Sequence, residues 1–133
     1  MHWTSKISAI VIASILAVPA WAASSSGYGQ GGSTAGYAHM VQLHNQTGEL
    51  FRITGHCQSA CTMFLAIRNV CVESGARLLF HAGRVPAGTE RMFNSYNAAL
   101  RSYLTANRAM ETAKFHTISG RDMISKFGYR RCP

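Results

Sequence analysis

The sequence predicts a small α/β domain organised around the stretch Gly55–Gly83. Within that stretch, short apolar runs typical of strands alternate with one apolar run typical of a helix. A longer segment, Arg91–Phe115, then carries apolar residues at helical spacing and predicts a long helix in the C-terminal half. The sequence shows neither an internal repeat nor a linker long enough to separate two domains. Together these observations predict one mixed domain.

The first 22 residues have the pattern of a secretory signal peptide. Lys6 precedes an apolar run, Ile7–Val18, and Ala20–Ala22 matches a small-x-small cleavage site. The apolar run is shorter than the roughly 20 residues that a membrane span needs, although an uncleaved anchor is the alternative. We therefore expect an exported protein, periplasmic or extracellular, without a stable membrane span. Cleavage leaves residues 23–133 as a single domain with a modest core.

The four cysteines, Cys57, Cys61, Cys71 and Cys132, all lie after this leader. An even number of cysteines in an exported chain predicts two disulfides. Four cysteines allow three pairings, and the sequence does not choose among them; we expect Cys61 with Cys71 and Cys57 with Cys132. Their spacing is not that of a zinc ribbon, so no metal is predicted.

The chain is strongly basic, with 13 Lys and Arg against five Asp and Glu, a net charge of +8. The cations after the leader are scattered from Arg52 to Arg131 and do not form a cluster. A positive surface attracts anionic polymers and acidic partners. Because aromatic and basic residues do not interleave as in single-strand binders, we expect no specific nucleic acid partner.

The remaining elements follow from apolar spacing and from the residues that interrupt it. The segment Ala23–Ala35, rich in Ser and Gly, predicts a flexible leader. We expect helices at Gly36–Thr47, Ala60–Ala66 and Arg121–Lys126, and strands at Leu50–Thr54, Val70–Val72 and Ala76–Phe80. We expect turns or loops at Gly55–Gln58, Ala82–Thr89 and Ile118–Gly120, and a tail at Tyr129–Pro133 pinned through Cys132.

A serine at a strand-to-helix turn and a histidine at the end of a later strand are candidates for a nucleophile–base pair. Ser59 opens the predicted helix, where unpaired backbone N–H groups and the helix dipole favour a nearby oxyanion. His81 ends an apolar strand and can act as a general base near neutral pH. The structural alternative is that Ser59 caps the helix and that His81 is bonded to backbone.

The motifs around these two residues resemble those of the Clp-type serine peptidases and their crotonase-fold relatives. Cys57–Thr62 resembles the nucleophile turn of the small exported members, Val70–Val72 their second strand, and Ala76–His81 the strand that carries the base. The resemblance extends, with gaps, over residues 31–128. It implies a small, truncated Clp/crotonase-like spiral of short β-β-α units.

The resemblance also implies how the site would work. Ser59 would be the nucleophile and His81 the base, and the amides of Gly31, Gly32 and Ala60 would form an oxyanion hole. The substrate would be a peptide or a small ester, and no cofactor is implied. Because peptidases of this fold form rings, the analogy also implies a homo-oligomer.

Two features depart from the family pattern. The family places the aspartate of its triad just before the closing helix, where this chain has His116-Thr117, so Asp122 or Glu111 would have to substitute. Loss of the orienting acid can lower kcat by on the order of 10⁴. The strand that should precede Gly31 would have to come from Ala23–Gln30, which has no apolar run. The alternative function is therefore a binding or structural module with a decayed site, and a third is a basic protein acting on anionic cell-surface polymers.

Overall fold

In the computed structural model, two three-stranded sheets and a set of short helices form a mixed α/β domain. The structure describes residues 10–12 and 23–133. The predicted signal peptide lies almost entirely outside these residues, so it stays a prediction. Within the described residues, no helix has the length and apolar character needed to cross a membrane.

Strands and helices alternate along residues 23–133. The strands are β1 (Ala23–Ser24), β2 (Phe51–Ile53), β3 (His56–Gln58), β4 (Val70–Val72), β5 (Arg77–Phe80) and β6 (His116–Ser119). The helices are α1 (Thr34–Thr47), a 3-10 helix (Ser59–Ala66), α2 (Pro86–Asn94), α3 (Ala98–Ala106) and α4 (Gly120–Ser125).

The sheet topology brings the ends of two strands to one edge. The first sheet has the order β1-β2-β4 and is parallel, and the second has the order β3-β5-β6. In the second sheet β3 and β5 are parallel, with Gln58 opposite Leu79, and β6 is antiparallel to β5. Because parallel strands end at the same edge of a sheet, Ser59 and His81, which follow β3 and β5, emerge side by side.

The core fixes the 3-10 helix that begins at Ser59. Phe64 of that helix is fully buried, and its ring centroid lies 4.6 Å from that of Phe51 in β2 and 5.2 Å from that of Tyr37 in α1. Burial of aromatic side chains of this size is among the largest stabilising terms in a small domain. The helix is therefore held between α1 and the first sheet.

The prediction of one long helix over Arg91–Phe115 is wrong. The segment contains two helices: α2 ends at Asn94, and Asn97 caps α3 by accepting from the Leu100 amide at 2.9 Å. The Asn97 side chain also donates to the Phe127 carbonyl at 2.7 Å. The buried residues on either side keep a spacing of four across the break, so the sequence pattern does not reveal it. Residues 107–115 form turns and not helix.

Three predicted turns or loops contain regular structure. The turn Gly55–Gln58 contains β3, the loop Ala82–Thr89 contains the start of α2 at Pro86, and Ile118–Gly120 contains the end of β6. The first two differences from the prediction have one cause, because glycine and proline, here Gly55 and Pro86, are typical of turns and loops. Gly55 only precedes its strand, and proline is well suited to the first turn of a helix.

The segment predicted as a flexible leader, Ala23–Ala35, is instead ordered at both ends. Ala23–Ser24 form β1 beside β2, and the Ser25 amide donates to the Arg52 carbonyl at 2.9 Å. Ser25 is buried, and its hydroxyl donates to the Thr54 carbonyl at 3.2 Å. Ala23–Ser24 thus form a short strand before Gly31, held against β2 by backbone hydrogen bonds.

All four cysteines form disulfides, but the expected pairing is wrong. The bonds are Cys57–Cys61 and Cys71–Cys132. Cys57 is the middle residue of β3 and Cys61 lies in the first turn of the 3-10 helix, so their Cα atoms are only 5.2 Å apart. The C-terminal tail runs beside β4, where the Cys132 amide donates to the Val72 carbonyl at 3.1 Å, and this places Cys132 against Cys71.

Candidate functional site

Ser59 and His81 are in direct contact. The Oγ of Ser59 and the Nε2 of His81 are 2.7 Å apart, a hydrogen-bond distance. This contact follows from the parallel pairing of β3 with β5, which the sequence could not show. Both side chains are partly exposed, so the pair is accessible from solvent.

Ser59 has an uncommon backbone conformation. Its φ is +55°, in the left-handed region, which costs a residue other than glycine about 1–2 kcal/mol. The Cys57–Cys61 disulfide spans this residue and the first turn of the 3-10 helix. Backbone strain of this kind concentrates at functional sites, where the surrounding structure holds it in place.

A buried chain of hydroxyl groups fixes the carbonyl of Ser59. The Thr62 hydroxyl donates to this carbonyl at 2.6 Å, and Thr62 and Tyr96 are hydrogen-bonded to each other through their hydroxyl groups. Because a carbonyl only accepts, the Thr62 proton points to Ser59 and Tyr96 must donate to Thr62. Burial raises the pKa of the Tyr96 hydroxyl, and only its hydrogen bond with Thr62 opposes this, so Tyr96 keeps its proton.

The tautomer of His81 follows from its second hydrogen bond. Its Nδ1 lies 3.2 Å from the carbonyl oxygen of Ala113. Because that oxygen can only accept, Nδ1 carries the proton and the lone pair of Nε2 faces the hydroxyl of Ser59. The Phe115 ring stacks on the imidazole with centroids 4.4 Å apart, and the Ala82 amide donates to the Thr112 carbonyl at 2.8 Å. The turn after α3 thus orients His81 from one side.

No carboxylate of the described residues is a recorded partner of His81. Asp122, the predicted candidate for the third member, pairs with Lys126 at 3.3 Å, and Glu111 pairs with Arg108 at 3.7 Å. The prediction for Asp122 is therefore corrected: the position that a triad gives to an aspartate is held by the Ala113 carbonyl. Asp122 lies in the first turn of α4, where a carboxylate complements the helix dipole.

A cavity of about 430 Å³ opens beside the pair. This volume lies within the range of pockets that bind small molecules. The residues that line it are Gly32, Thr34, Ser59, His81, Gly83, Arg84, Val85, Gly88 and Met92. The sulfur of Met92 lies 3.9 Å from the Ser59 hydroxyl, so this hydroxyl forms part of the cavity wall.

The three amides predicted as an oxyanion hole differ in their availability. The Gly31 amide already donates to the Tyr28 carbonyl at 3.2 Å, so this part of the prediction is corrected. Gly32 lines the cavity, and Ala60 lies in the first turn of the 3-10 helix, where N–H groups have no intrahelical acceptor. Gly31 instead lets its own backbone pack closely against Ser59 and Ala60. A Cβ on Gly31 would lie 3.0 Å from the Ser59 Cβ and 3.2 Å from the Ala60 nitrogen.

The sequence analysis missed several residues of the site. Ala113 contributes through its backbone and has no signal in its side chain. Phe115 is the last residue of the predicted long helix, whereas in the structure it stacks on His81. Arg84 and Met92 flank the cavity, and the position of Arg84 three residues after His81 is a signal that could have been used. Among residues 10–12 and 23–133, no group of three or more His, Cys, Asp or Glu side chains is arranged to hold a metal ion.

Comparisons with protein-family models, with curated proteins and with solved structures found no match. The function therefore has to be argued from the chemistry of this cavity and of the Ser59–His81 contact.

Proposed function

We propose that the protein is an exported serine hydrolase that transfers acyl groups from peptides or small esters to Ser59. The observation that carries the proposal is the 2.7 Å contact between Ser59 Oγ and the lone-pair nitrogen of His81 at the wall of a cavity. A nucleophile within hydrogen-bond reach of an oriented base is the geometric requirement for covalent catalysis. The two disulfides support the exported location.

The reaction proceeds in two steps. Ser59 Oγ attacks the substrate carbonyl carbon while its proton passes to His81 Nε2, and the carbonyl oxygen becomes an oxyanion near the amides of Gly32 and Ala60. The tetrahedral intermediate collapses, and the leaving alcohol or amine takes the proton from His81. Water then attacks the acyl-serine, gives a proton to His81 and releases the acid, and the proton returns to Ser59.

The proposed catalytic group is a dyad of Ser59 and His81, in which the backbone carbonyl of Ala113 orients the histidine. The carbonyl selects the productive tautomer of His81, as the aspartate of a triad does. Because it carries no full charge, it stabilises the imidazolium less than a carboxylate would. We therefore propose a slower enzyme than a complete triad supports.

The proposal includes a Clp/crotonase-type spiral fold and a homo-oligomer, both of which the resemblance implies. The motif runs around Ser59 and His81 support the spiral. The second candidate function is a binding or structural module on this fold, and it is favoured by one observation. His81 has a backbone carbonyl, and no carboxylate, on its Nδ1.

Hydrolysis of an activated ester distinguishes these two functions. With p-nitrophenyl butyrate we expect a burst of one nitrophenol per protein molecule, followed by slower turnover. We expect a butyryl adduct on Ser59 by peptide mass mapping. Ser59→Ala should abolish the burst, and His81→Ala should slow it by about 10²–10⁴-fold, the usual contribution of a general base.

Two exposed residues outside the site provide matched controls. Ser102→Ala on α3 and His39→Ala on α1 change the same side-chain types on solvated helix faces and should leave the burst intact. A folded, oxidised protein without a burst, or a burst that survives Ser59→Ala, would favour the binding module.

A further inference from the structure

We propose that the cavity selects acyl groups that carry a carboxylate, and that Arg84 binds this carboxylate at the cavity rim. The inference rests on the proposed function, because the carboxylate is placed relative to a carbonyl under attack by Ser59. It names the substrate class, which neither the catalytic pair nor the fold defines.

Arg84 is the arginine among the residues that line the cavity, and its guanidinium carries a positive charge. Its side chain is exposed, and among the described residues its guanidinium has no recorded hydrogen bond or ion pair. None of the nine lining residues is acidic. An anion that enters the cavity therefore meets an available cation and no opposing charge.

A second guanidinium lies directly behind the same wall. Arg91 Nη1 donates to the Thr34 hydroxyl at 3.2 Å, and Thr34 lines the cavity. Thr34 in turn lies against Gly88, where an added Cβ would be 3.7 Å from the threonine oxygen. The Thr34 side of the cavity thus has positive charge behind it, which raises the local concentration of anions.

Three of the five acidic residues are engaged elsewhere, in ion pairs. Glu73 pairs with Arg52 at 3.6 Å, and Glu111 and Asp122 pair with Arg108 and Lys126. The chain carries a net charge of +8, so its own carboxylates do not neutralise its cations. Arginine presents a planar fork that matches a carboxylate with two hydrogen bonds, which makes Arg84 suited to select this group.

Part of the remaining cavity wall is apolar. Val85 and Met92 provide apolar surface, and Gly83 and Gly88 add no side chain to the wall. We infer an acyl group with a short apolar stem that ends in a carboxylate. In a peptide this carboxylate is an acidic side chain on the acyl side of the scissile bond, because the free C-terminus departs with the leaving amine.

Two esters with acyl chains of four carbons test the inference. The p-nitrophenyl half-ester of succinate carries the terminal carboxylate, and p-nitrophenyl butyrate lacks it. We expect the parent protein to hydrolyse the succinate ester with the higher kcat/KM. Arg84→Gln should lower that preference by about 10- to 100-fold, the usual contribution of a charge-assisted hydrogen bond.

Arg121→Gln is the matched control, since it removes the same charge from an exposed position on α4. Arg121→Gln should leave the preference for the succinate ester unchanged. An equal drop of this preference in both variants would show that the overall positive charge of the protein causes it, and would overturn a direct contact between the substrate and Arg84. Peptides with Glu on the acyl side of the scissile bond should be cleaved faster than the same peptides with Gln. Amidation of the C-terminus should not change this preference, because the C-terminus departs with the leaving amine.

The outcomes separate this inference from the proposed function. Hydrolysis of both esters with no preference for succinate, or with a preference that survives Arg84→Gln, overturns the inference and leaves the serine hydrolase in place. If neither ester forms an adduct on Ser59, the proposed function fails and the inference fails with it.

Discussion

We expect the double variant Cys71→Ala/Cys132→Ala to lose about 4 kcal/mol of unfolding free energy. The disulfide joins residues 61 apart in the sequence, and the chain-entropy relation gives about this value for a loop of that length. The bond also holds the C-terminal tail, in which the Tyr129 hydroxyl accepts from the Asn97 amide at 2.9 Å. Its loss therefore loosens the start of α3 as well.

Urea denaturation of this variant should be compared with that of Cys57→Ala/Cys61→Ala. The second disulfide joins residues only four apart, for which the same relation gives about 2 kcal/mol. We expect the smaller stability loss from this variant but the larger loss of Ser59 reactivity, because its disulfide spans the nucleophile. A greater stability loss from the Cys57–Cys61 variant would contradict this division of roles.

Gly31→Ala should lower the reactivity of Ser59 by about 10²-fold, the typical cost of moving a reacting group by about 1 Å. The added Cβ would lie 2.9 Å from the Gln58 carbonyl oxygen and 3.0 Å from the Ser59 Cβ. These contacts are too close, so the nucleophile turn must shift. The burst rate with p-nitrophenyl butyrate measures the effect.

Gly27→Ala is a matched control for the backbone strain of this substitution. Gly27 has a φ of +85° and Gly31 a φ of +76°, so alanine at either position costs about 1–2 kcal/mol of stability. A Cβ at Gly27 would meet no atom within 4 Å. Equal losses of reactivity in the two variants would show that general destabilisation, and not contact with Ser59, is responsible.

The sequence predicted the parts of this site that depend on local pattern. Ser59 follows the predicted turn Gly55–Gln58 and opens a predicted apolar helix, and His81 ends the predicted apolar strand Ala76–Phe80, so both could be selected as candidates. Their contact depends on the pairing of Gln58 with Leu79, which is a relation between distant strands. No local pattern contains that register, and it had to come from the structure.

Three other features could not be predicted from the sequence, each for a different physical reason. The buried stripe Met92, Tyr96, Leu100 and Leu104 continues in phase across the break at Asn97, so periodicity alone favoured one helix. The disulfide pairing depends on which strand the tail runs beside, and sequence spacing carries no information about that. The carbonyl of Ala113 belongs to the backbone, so any residue type would serve there.

The central claim is that His81 activates Ser59, and the rate of labelling by a fluorophosphonate tests it most directly. The experiment uses the folded, oxidised protein, with the site of labelling mapped by peptide mass spectrometry. We predict labelling at Ser59 that slows by at least about 10²-fold in His81→Ala and is absent in Ser59→Ala. No labelling of the folded protein, or an equal rate in His81→Ala, would contradict the claim.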